Sequence, residues 1–311
     1  MSKLSIVIVN WNGWELLDGC LRSLAANGAS ERCQTIVVDN ASSDDSVSLL
    51  RDKFPWVELV SSPTNVGFSA GNNLGIERAT GDWIMLLNND TLVPNNWINQ
   101  IYEILATISP KDVLGIQLHN PDGSLQPSHG NFPSLSRIFL NISMLDRVTP
   151  GHGGKRAYIV THPAQYKVKH QVDWVSGACL IAHRQAFDQV GGLDSGYFMY
   201  VEEVDWCRRA QDKGYCVWYT PEAHLTHIHS GSTKNRIGKV VSTYRSLFRY
   251  FEKHESGYTC AMLRIVLGLA TMIKLGASLL AWIMRVRPMD AADCLKAYSH
   301  ALGVVLKERR S

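Results

Sequence analysis

A chain of 311 residues, 45% hydrophobic and 19% charged, has the composition of a folded globular protein with one substantial core, or one domain and an appendage. Its formal net charge of +3 is too slight a bias to make nucleic acid a partner. Its seven cysteines (Cys20, Cys33, Cys179, Cys207, Cys216, Cys260, Cys294) show neither CxxC nor Cys/His zinc spacing, which argues against a zinc site or a disulfide framework and suits free thiols in a reducing compartment.

The apolar run at residues 4–9 is too short for the core of a secretory signal and is not followed by a small-residue cleavage site, so the chain is expected in the cytoplasm. The run reads instead as the first of four strands, at 4–9, 35–38, 57–61 and 83–87, alternating with helical stretches as βαβ units of a parallel sheet do. Ser5-Ile6-Val7-Ile8-Val9 and Ile84-Met85-Leu86-Leu87 are continuous apolar segments, which suits strands buried on both faces. Leu16, Leu17, Leu21 and Leu24 recur at helical spacing, and Ser42 or Ser43 is expected to cap the helix after strand two. A helix over 95–107 and a strand over 113–118 follow. Residues 119–170, rich in Gly, Pro, His and Ser, show no periodicity; they form either a functional excursion or elements without a sequence signature. Regular structure resumes over 172–182, with a helix over 202–213 and a strand over 216–219.

Each early strand runs into polar residues: Asn10-Trp11-Asn12, Asp39-Asn40, Pro63-Thr64-Asn65 and Asn88-Asn89-Asp90. Ligands of open parallel sheets bind outside the carboxyl ends of the strands, so these clusters are expected to converge on one site; the alternative is that they are turn residues and nothing more. Asp90 can bind Mg2+ or Mn2+ and bridge to phosphate oxygens, or cap a helix over 91–107. Glu202, Glu203 and Asp205 put three carboxylates on one stretch of helix, Glu202 and Asp205 sharing a face and Glu203 offset, with Arg208 and Arg209 in reach as partners. They read as a solvated helix start or as a general base at the mouth of a site. In His224-Leu225-Thr226-His227-Ile228-His229, an extended chain would set His227 and His229 on one side, but residue chemistry alone does not choose a metal ligand among the three.

Six ordered segments, "SIVIVNWNG", "VVDNASSDDS", "NVGFSAGNNLGI", "LLNNDT", "VSGACLIAHRQAFDQVGGLD" and "YFMYVEEVDWCRRAQDKGY", resemble the inverting family 2 glycosyltransferases, most nearly the rhamnosyltransferase branch that builds bacterial surface polysaccharides. The resemblance covers roughly residues 4–235. It implies an α/β chain of the GT-A fold, a Rossmann-like, mostly parallel sheet flanked by helices, in a catalytic domain over 1–235 followed by a C-terminal helical segment over 236–311. It also implies roles. Asp39 matches the residue that binds the base or ribose. Asn65, Gly67, Asn72 and Asn73 fall where the family lines the nucleotide and diphosphate pocket, to which the strand-end Asn10 and Asn88 are assigned as well. Trp174, Ser176 and Gly177 fall beside the donor sugar and acceptor. Asp90, the last aspartate of the DxD motif, and His227 match the ligands of Mg2+ or Mn2+. Glu203 matches the general base, with Glu202 as the alternate. The chain departs from the family in carrying Asn88 where the motif's first acid stands and Glu203 where Asp is common. The implied reaction is attack of an acceptor hydroxyl on C1 with inversion. Glu203 takes the proton, its pKa tuned by burial beside Phe198 and Trp206, and the metal stabilises the departing nucleoside diphosphate.

The branch resemblance favours dTDP-L-rhamnose as donor, with UDP-hexoses next, and a glycan or polyprenyl-diphosphate-linked acceptor. A processive synthase would need several membrane spans and a QxxRW motif, and a nucleotidyltransferase a Gly/Lys-rich phosphate loop. A catalytically inactive nucleotide-sugar-binding module conflicts with the acids retained at Asp39, Asp90 and Glu203. Residues 261–284 are apolar apart from Arg264 and Lys274. On a helical wheel Arg264, Thr271, Lys274, Ser278 and Arg285 share an arc of about 80°. The helix is therefore expected to lie in the membrane interface with that arc among lipid phosphates, aided by Arg287, Lys307, Arg309 and Arg310. The alternatives are packing on the catalytic domain, pairing with a second copy in an oligomer, or spanning the bilayer. The expected location is cytoplasmic, peripheral at the inner face of the membrane.

Overall fold

The computed structural model describes residues 3–143, 154, 157–228, 236–286 and 288–307. Strands β1 (Leu4–Asn10), β2 (Cys33–Asp39), β3 (Glu58–Ser61) and β4 (Trp83–Asn88) form on the apolar runs. They lie in the order β3-β2-β1-β4, all parallel. The connecting helices are α1 (Trp14–Ala26), the short α2 (Ala29–Arg32), α3 (Ser46–Lys53) and α4 (Gly67–Arg78). Beyond β4 come β5 (Thr91–Leu92), α5 (Trp97–Leu105) and β6 (Asp112–His119). The sheet continues through β11 (Cys179–His183), β6, β12 (Cys216–His227) and β5, with β11 antiparallel to both its neighbours.

Alternation along β1 explains the layering. Ile6 and Ile8 join Leu17, Leu21, Trp97 and Ile101 in one core, and Val7 joins a second core on the opposite face. Helix α4 lies directly on the second face, because a Cβ on Gly75 would come within 2.3 Å of Val7 Cγ1. Completing that layer are α7 (Arg184–Val190), α8 (Glu202–Asp212) and α9 (Arg236–His254). Tyr244, Leu247, Phe248 and Phe251 of α9 belong to the same core as the strands.

The expected helix cap is corrected, and the two stretches that follow β6 take definite form. Ser42 and Ser43 do not cap α3, which begins at Ser46 behind Asp45; Ser42 Oγ instead accepts the Asn12 N–H at 3.0 Å, in the loop between β2 and α3. The aperiodic stretch after β6 holds a helix, α6 (Leu135–Ser143), and the strands β7 (Leu125–Gln126), β8 (His129–Gly130) and β9 (His170–Gln171), whose two residues each leave no alternation to detect. Residues 172–182 are not one element. β10 (Trp174–Val175) pairs with β8 in a separate small sheet, and the chain breaks at Ser176-Gly177 before entering β11.

The C-terminal helices α10 (Gly257–Ile283) and α11 (Pro288–Lys307) reverse the expected orientation of the polar arc. Thr271 is fully buried and bonded to the Tyr244 hydroxyl at 2.8 Å, Arg264 lies over the Phe248 ring, and Lys274 over Tyr298. The arc thus faces protein, and Ile265, Leu269, Met272, Leu279, Leu280 and Ile283 are exposed on the opposite side. By length and composition α10 is apolar enough to cross a membrane, and only 17% of its most apolar window is buried. Arg309 and Arg310 lie outside the described residues, as does Arg287.

Candidate active site

Register brings the strand ends together: Asn10 pairs with Asp39, Asp39 with Ser61, and Val9 with Asn88. From there the loops close into a ring of contacts. Asn89 Nδ2 donates to Asn10 Oδ1 at 2.7 Å, and Asn10 Nδ2 to Ser42 Oγ at 3.5 Å. The Ser42 N–H bonds Asp39 Oδ2 at 3.2 Å. Asn40 Nδ2 donates to Asn65 Oδ1 at 3.0 Å, and Asn65 Oδ1 also accepts the Gly67 N–H at 3.0 Å. The Phe68 N–H then bonds Phe198 O at 2.7 Å, tying this loop to the segment that leads into α8. The ring closes through Gly177, because a Cβ there would lie 3.7 Å from Glu203 Cβ, and the neighbouring Ala178 carbonyl accepts the Asn88 N–H at 3.1 Å.

Around this ring Asp39 Oδ1, Asn88 Oδ1 and one carboxylate oxygen each of Glu202 and Glu203 are buried without a hydrogen-bond partner among the described residues. Buried polar atoms are almost always satisfied, so these four leave hydrogen-bonding capacity on the site's own residues open to a ligand's polar groups. Gly67 holds φ +85°, and a Cβ would meet Phe198 O at 2.6 Å, so only glycine lets the two segments approach.

Glu202 and Glu203 are separated by environment. Glu202 is 4% exposed; burial, and then the charge on Glu203, push its carboxyl well above the ordinary range. Glu203 is partly exposed, and burial raises it to about 6, with backbone N–H groups including that of Gly177 opposing the rise. That value suits a proton acceptor near neutral pH. The rings expected to enclose it do not: Trp206 stacks on Phe187 with its N–H on Gly191 O, and Phe198 is 54% exposed. Gly177 and the Phe68 ring beside it form the wall instead.

Two consecutive residues in the left-handed region, Tyr200 (φ 72°) and Val201 (φ 69°), aim α8 at the crevice. Such a backbone is strained by ~1–3 kcal/mol per residue and needs outside support, above all at a β-branched valine. Helix α9 provides it. Ser246 Oγ donates to Met199 O at 3.0 Å, and the fully buried Asp205 accepts from Arg209 at 2.8 Å, Lys253 at 3.0 Å and His254 at 2.8 Å. Burial works against the Asp205 charge, but these donors hold its carboxyl below the usual range. Asp205 is therefore an anchor for α8, and Arg208 pairs with Asp212 instead.

At the other side of the ring His227 Nε2 lies 3.1 Å from Asp90 Oδ1 and 3.2 Å from Asn88 Nδ2. His224 packs against the His119 ring, and His229 lies outside the described residues. Asp90 starts no helix: residues 91–92 are β5, which pairs His227 with Thr91. No group of three His, Cys, Asp or Glu arranged for a metal occurs among the described residues. One carboxylate and one imidazole nonetheless fit Mg2+ or Mn2+, which take few protein ligands and fill the rest of the shell with phosphate oxygens and water.

Other residues expected at the site have structural partners. Asn73 uses both ends of its amide on the Leu193 backbone, and Asn72 Nδ2 donates to Phe68 O at 2.9 Å. Trp174 is buried against Gly130 with its N–H on Asn131 O, and the Ser176 N–H bonds Ser128 O. Two neighbours had no sequence signal, since both come from the aperiodic stretch. Gln126 Oε1 lies 2.7 Å from His227 Nδ1, and the half-buried Tyr158 feels the charges of Glu203 and Glu202.

Known proteins are similar to this chain in sequence and in fold. The chain is 28% identical over 274 residues to the N-acetylglucosaminyl-diphospho-decaprenol L-rhamnosyltransferase of Mycobacterium tuberculosis, covering 84% of this chain and 88% of that one. In fold it is similar to the mannosyltransferase PcManGT of Pyrobaculum calidifontis in complex with GDP-Man and Mn2+, with a TM-score of 0.55 at 13% identity over 99% of this chain and 88% of that one. It is also similar to GalNAc-T7 with UDP, GalNAc and Mn2+, with a TM-score of 0.56 at 15% identity; the match covers 81% of this chain and 48% of that longer one. The sheet and its helices are thus those of GT-A glycosyltransferases. The sequence profile described as Glycosyl transferase family 2 matches residues 5–191, more than half of the chain and all four strand-end loops; the protein belongs to that family and is a glycosyltransferase.

Proposed function

We propose that this glycosyltransferase moves L-rhamnose from dTDP-L-rhamnose to a polyprenyl-diphosphate-linked glycan, with inversion at C1. The observation that carries the reading is the closed ring of strand-end loops, with Asp39, the Asp90–His227 pair and Glu203 on one circuit. The sugar and acceptor are taken from the Mycobacterium tuberculosis relative, whose name gives an L-rhamnosyl group and an N-acetylglucosaminyl-diphospho-decaprenol acceptor.

Asp39 accepts hydrogen bonds from the base or ribose, and the Asn10, Asn65, Gly67 and Asn88 loops line the nucleotide and diphosphate. Asp90 and His227 hold Mg2+ or Mn2+, which when bound neutralises the charge developing on the departing diphosphate. Glu203 accepts the proton of the acceptor hydroxyl as its oxygen attacks C1 from the face opposite the diphosphate, and Gly177 leaves room for the approach. Glu202, deeper and held towards its neutral form by burial, does not compete for that proton. Residues 1–235 carry this chemistry. Residues 236–311 serve as a helical element whose α9 anchors α8 and whose α10 rests its exposed apolar face on the inner, cytoplasmic side of the membrane, where a lipid-linked acceptor resides.

The test is a donor screen on the full chain with Mn2+ or Mg2+ and a soluble polyprenyl-diphosphate acceptor analogue, read by release of nucleoside diphosphate. Turnover of dTDP-L-rhamnose above UDP-hexoses is expected. Preference for a UDP-hexose overturns the rhamnose assignment, and turnover of no donor overturns the ring as a catalytic site.

A further inference from the structure

Gln126 lies on β7, a two-residue strand outside every motif that points to the site, yet it is 4% exposed and meets His227 twice. Its amide nitrogen donates to the His227 carbonyl at 3.1 Å and to Asn120 Oδ1 at 2.8 Å. The Asn120 amide is itself oriented, because its nitrogen donates to Ser124 Oγ at 2.9 Å. A main-chain carbonyl is an acceptor without ambiguity, so the nitrogen of Gln126 is the end on that side and its oxygen is the end facing the ring. Gln126 Oε1 stands 2.7 Å from His227 Nδ1. An acceptor at that distance requires a proton on Nδ1.

The consequence appears at the other nitrogen. With the proton held on Nδ1, Nε2 is the nitrogen that faces Asn88 Nδ2 at 3.2 Å and Asp90 Oδ1 at 3.1 Å. A bare nitrogen and a carboxylate oxygen at that separation repel unless a proton or a metal cation lies between them, and a divalent cation is the occupant the metal-assisted reading supplies. We infer that Gln126 is a positioning residue that fixes His227 with its proton on Nδ1, so that Nε2 and Asp90 together form the protein half of the divalent-cation site; this rests on the metal-assisted reading above. Outer partners of this kind set both the tautomer and the ring orientation of a ligating histidine, and their loss typically weakens metal binding by ~10–100-fold.

The experiment uses the full chain and two readouts other than turnover. Mn2+ affinity is titrated by electron paramagnetic resonance for the wild type, Gln126→Leu and Gln126→Glu, with thermal unfolding as the folding control. Gln126→Leu should bind Mn2+ ~10–100-fold more weakly, and Gln126→Glu, which still accepts from Nδ1, should recover most of the loss. Wild-type affinity in Gln126→Leu overturns the inference, as does a loss in Gln126→Glu as large as in Gln126→Leu while both remain folded. Independently of any variant, nitrogen-15 chemical shifts of His227 in the metal-free wild type should show Nδ1 as the protonated nitrogen; a proton on Nε2 with Nδ1 bare overturns it outright. If the wild type binds no Mn2+, the cation-site half of the inference falls together with the metal-assisted reading, whereas the nitrogen shifts still decide the tautomer by themselves.

Discussion

Replacing Glu203 by Gln keeps the side chain's size and removes its proton acceptor, and two consequences of opposite sign follow. Burial raises the Glu203 carboxyl from an ordinary 4.5 to about 6. The ionised fraction therefore climbs about tenfold between pH 5 and pH 7, and wild-type kcat/KM should rise with it and level off above. Glu203→Gln should lose that rising limb and transfer sugar at least ~100-fold more slowly. For stability, the folded chain holds this proton more tightly than the unfolded chain does. The group's contribution is thus most favourable below pH 4.5 and is lost as pH rises through about 6, a loss of about 2 kcal/mol at neutral pH. A neutral glutamine escapes that loss. The variant should be nearly inactive yet up to ~2 kcal/mol more stable than the wild type in urea at pH 7.5, with the difference shrinking towards pH 4.5. Sugar transfer at near wild-type rate would move the base to Glu202, and a flat wild-type profile from pH 5 to 7 would refute the raised carboxyl.

Asp90→Asn and His227→Ala should each weaken activation by Mn2+ or Mg2+ by at least ~10-fold, and full wild-type activity in EDTA would exclude the metal. Asp205→Ala strands Lys253, His254 and Arg209 around a buried site and should cost ~3–5 kcal/mol by urea unfolding. In the wild type the depressed Asp205 carboxyl contributes stability in full above its unfolded value near ~4, and this is lost as pH falls towards the lower folded value; an acid limb no steeper than the variant's would contradict the anchor. For α10, the full chain should float with vesicles even in high salt, because the surface it presents is apolar. Leu269→Glu with Leu280→Glu should lower partitioning by ~100-fold or more, each leucine being worth ~1.5–3 kcal/mol when buried; no flotation in any lipid would leave α10 a packing or dimerisation element.

The sheet is legible in the sequence because its central strands β1 and β4 are buried on both faces, so their apolar runs are continuous. The strand ends carry Asn10, Asp39 and Asn88, and register alone brings them side by side. What is hidden depends on contacts distant in sequence. Lys253 and His254 reach Asp205 across more than forty residues, so the anchor role of α9 has no local pattern. The wheel of α10 gives the angle of the polar arc but not its direction. Protein claims that arc because Tyr244, Phe248 and Tyr298 offer a hydroxyl and two ring faces, which satisfy Thr271, Arg264 and Lys274 more completely than their sequence neighbours suggest.

The departure at Asn88 follows from the same kind of distant contact. His227 arrives at the end of β12 with Nδ1 held by Gln126, which leaves Nε2 facing the end of β4. An acid at position 88 would set a second acceptor against that nitrogen beside Asp90. The amide offers Nδ2 as a donor at 3.2 Å and keeps Oδ1 buried and unpartnered in the crevice. Under the metal-assisted proposal, asparagine is therefore the residue that keeps Nε2 in place through a donor while adding no charge, and the imidazole would take up the ligand position the missing acid gives up. In this arrangement Asn88, His227 and Gln126 depend on one another, and a sequence motif confined to residues 88–90 carries only a third of it.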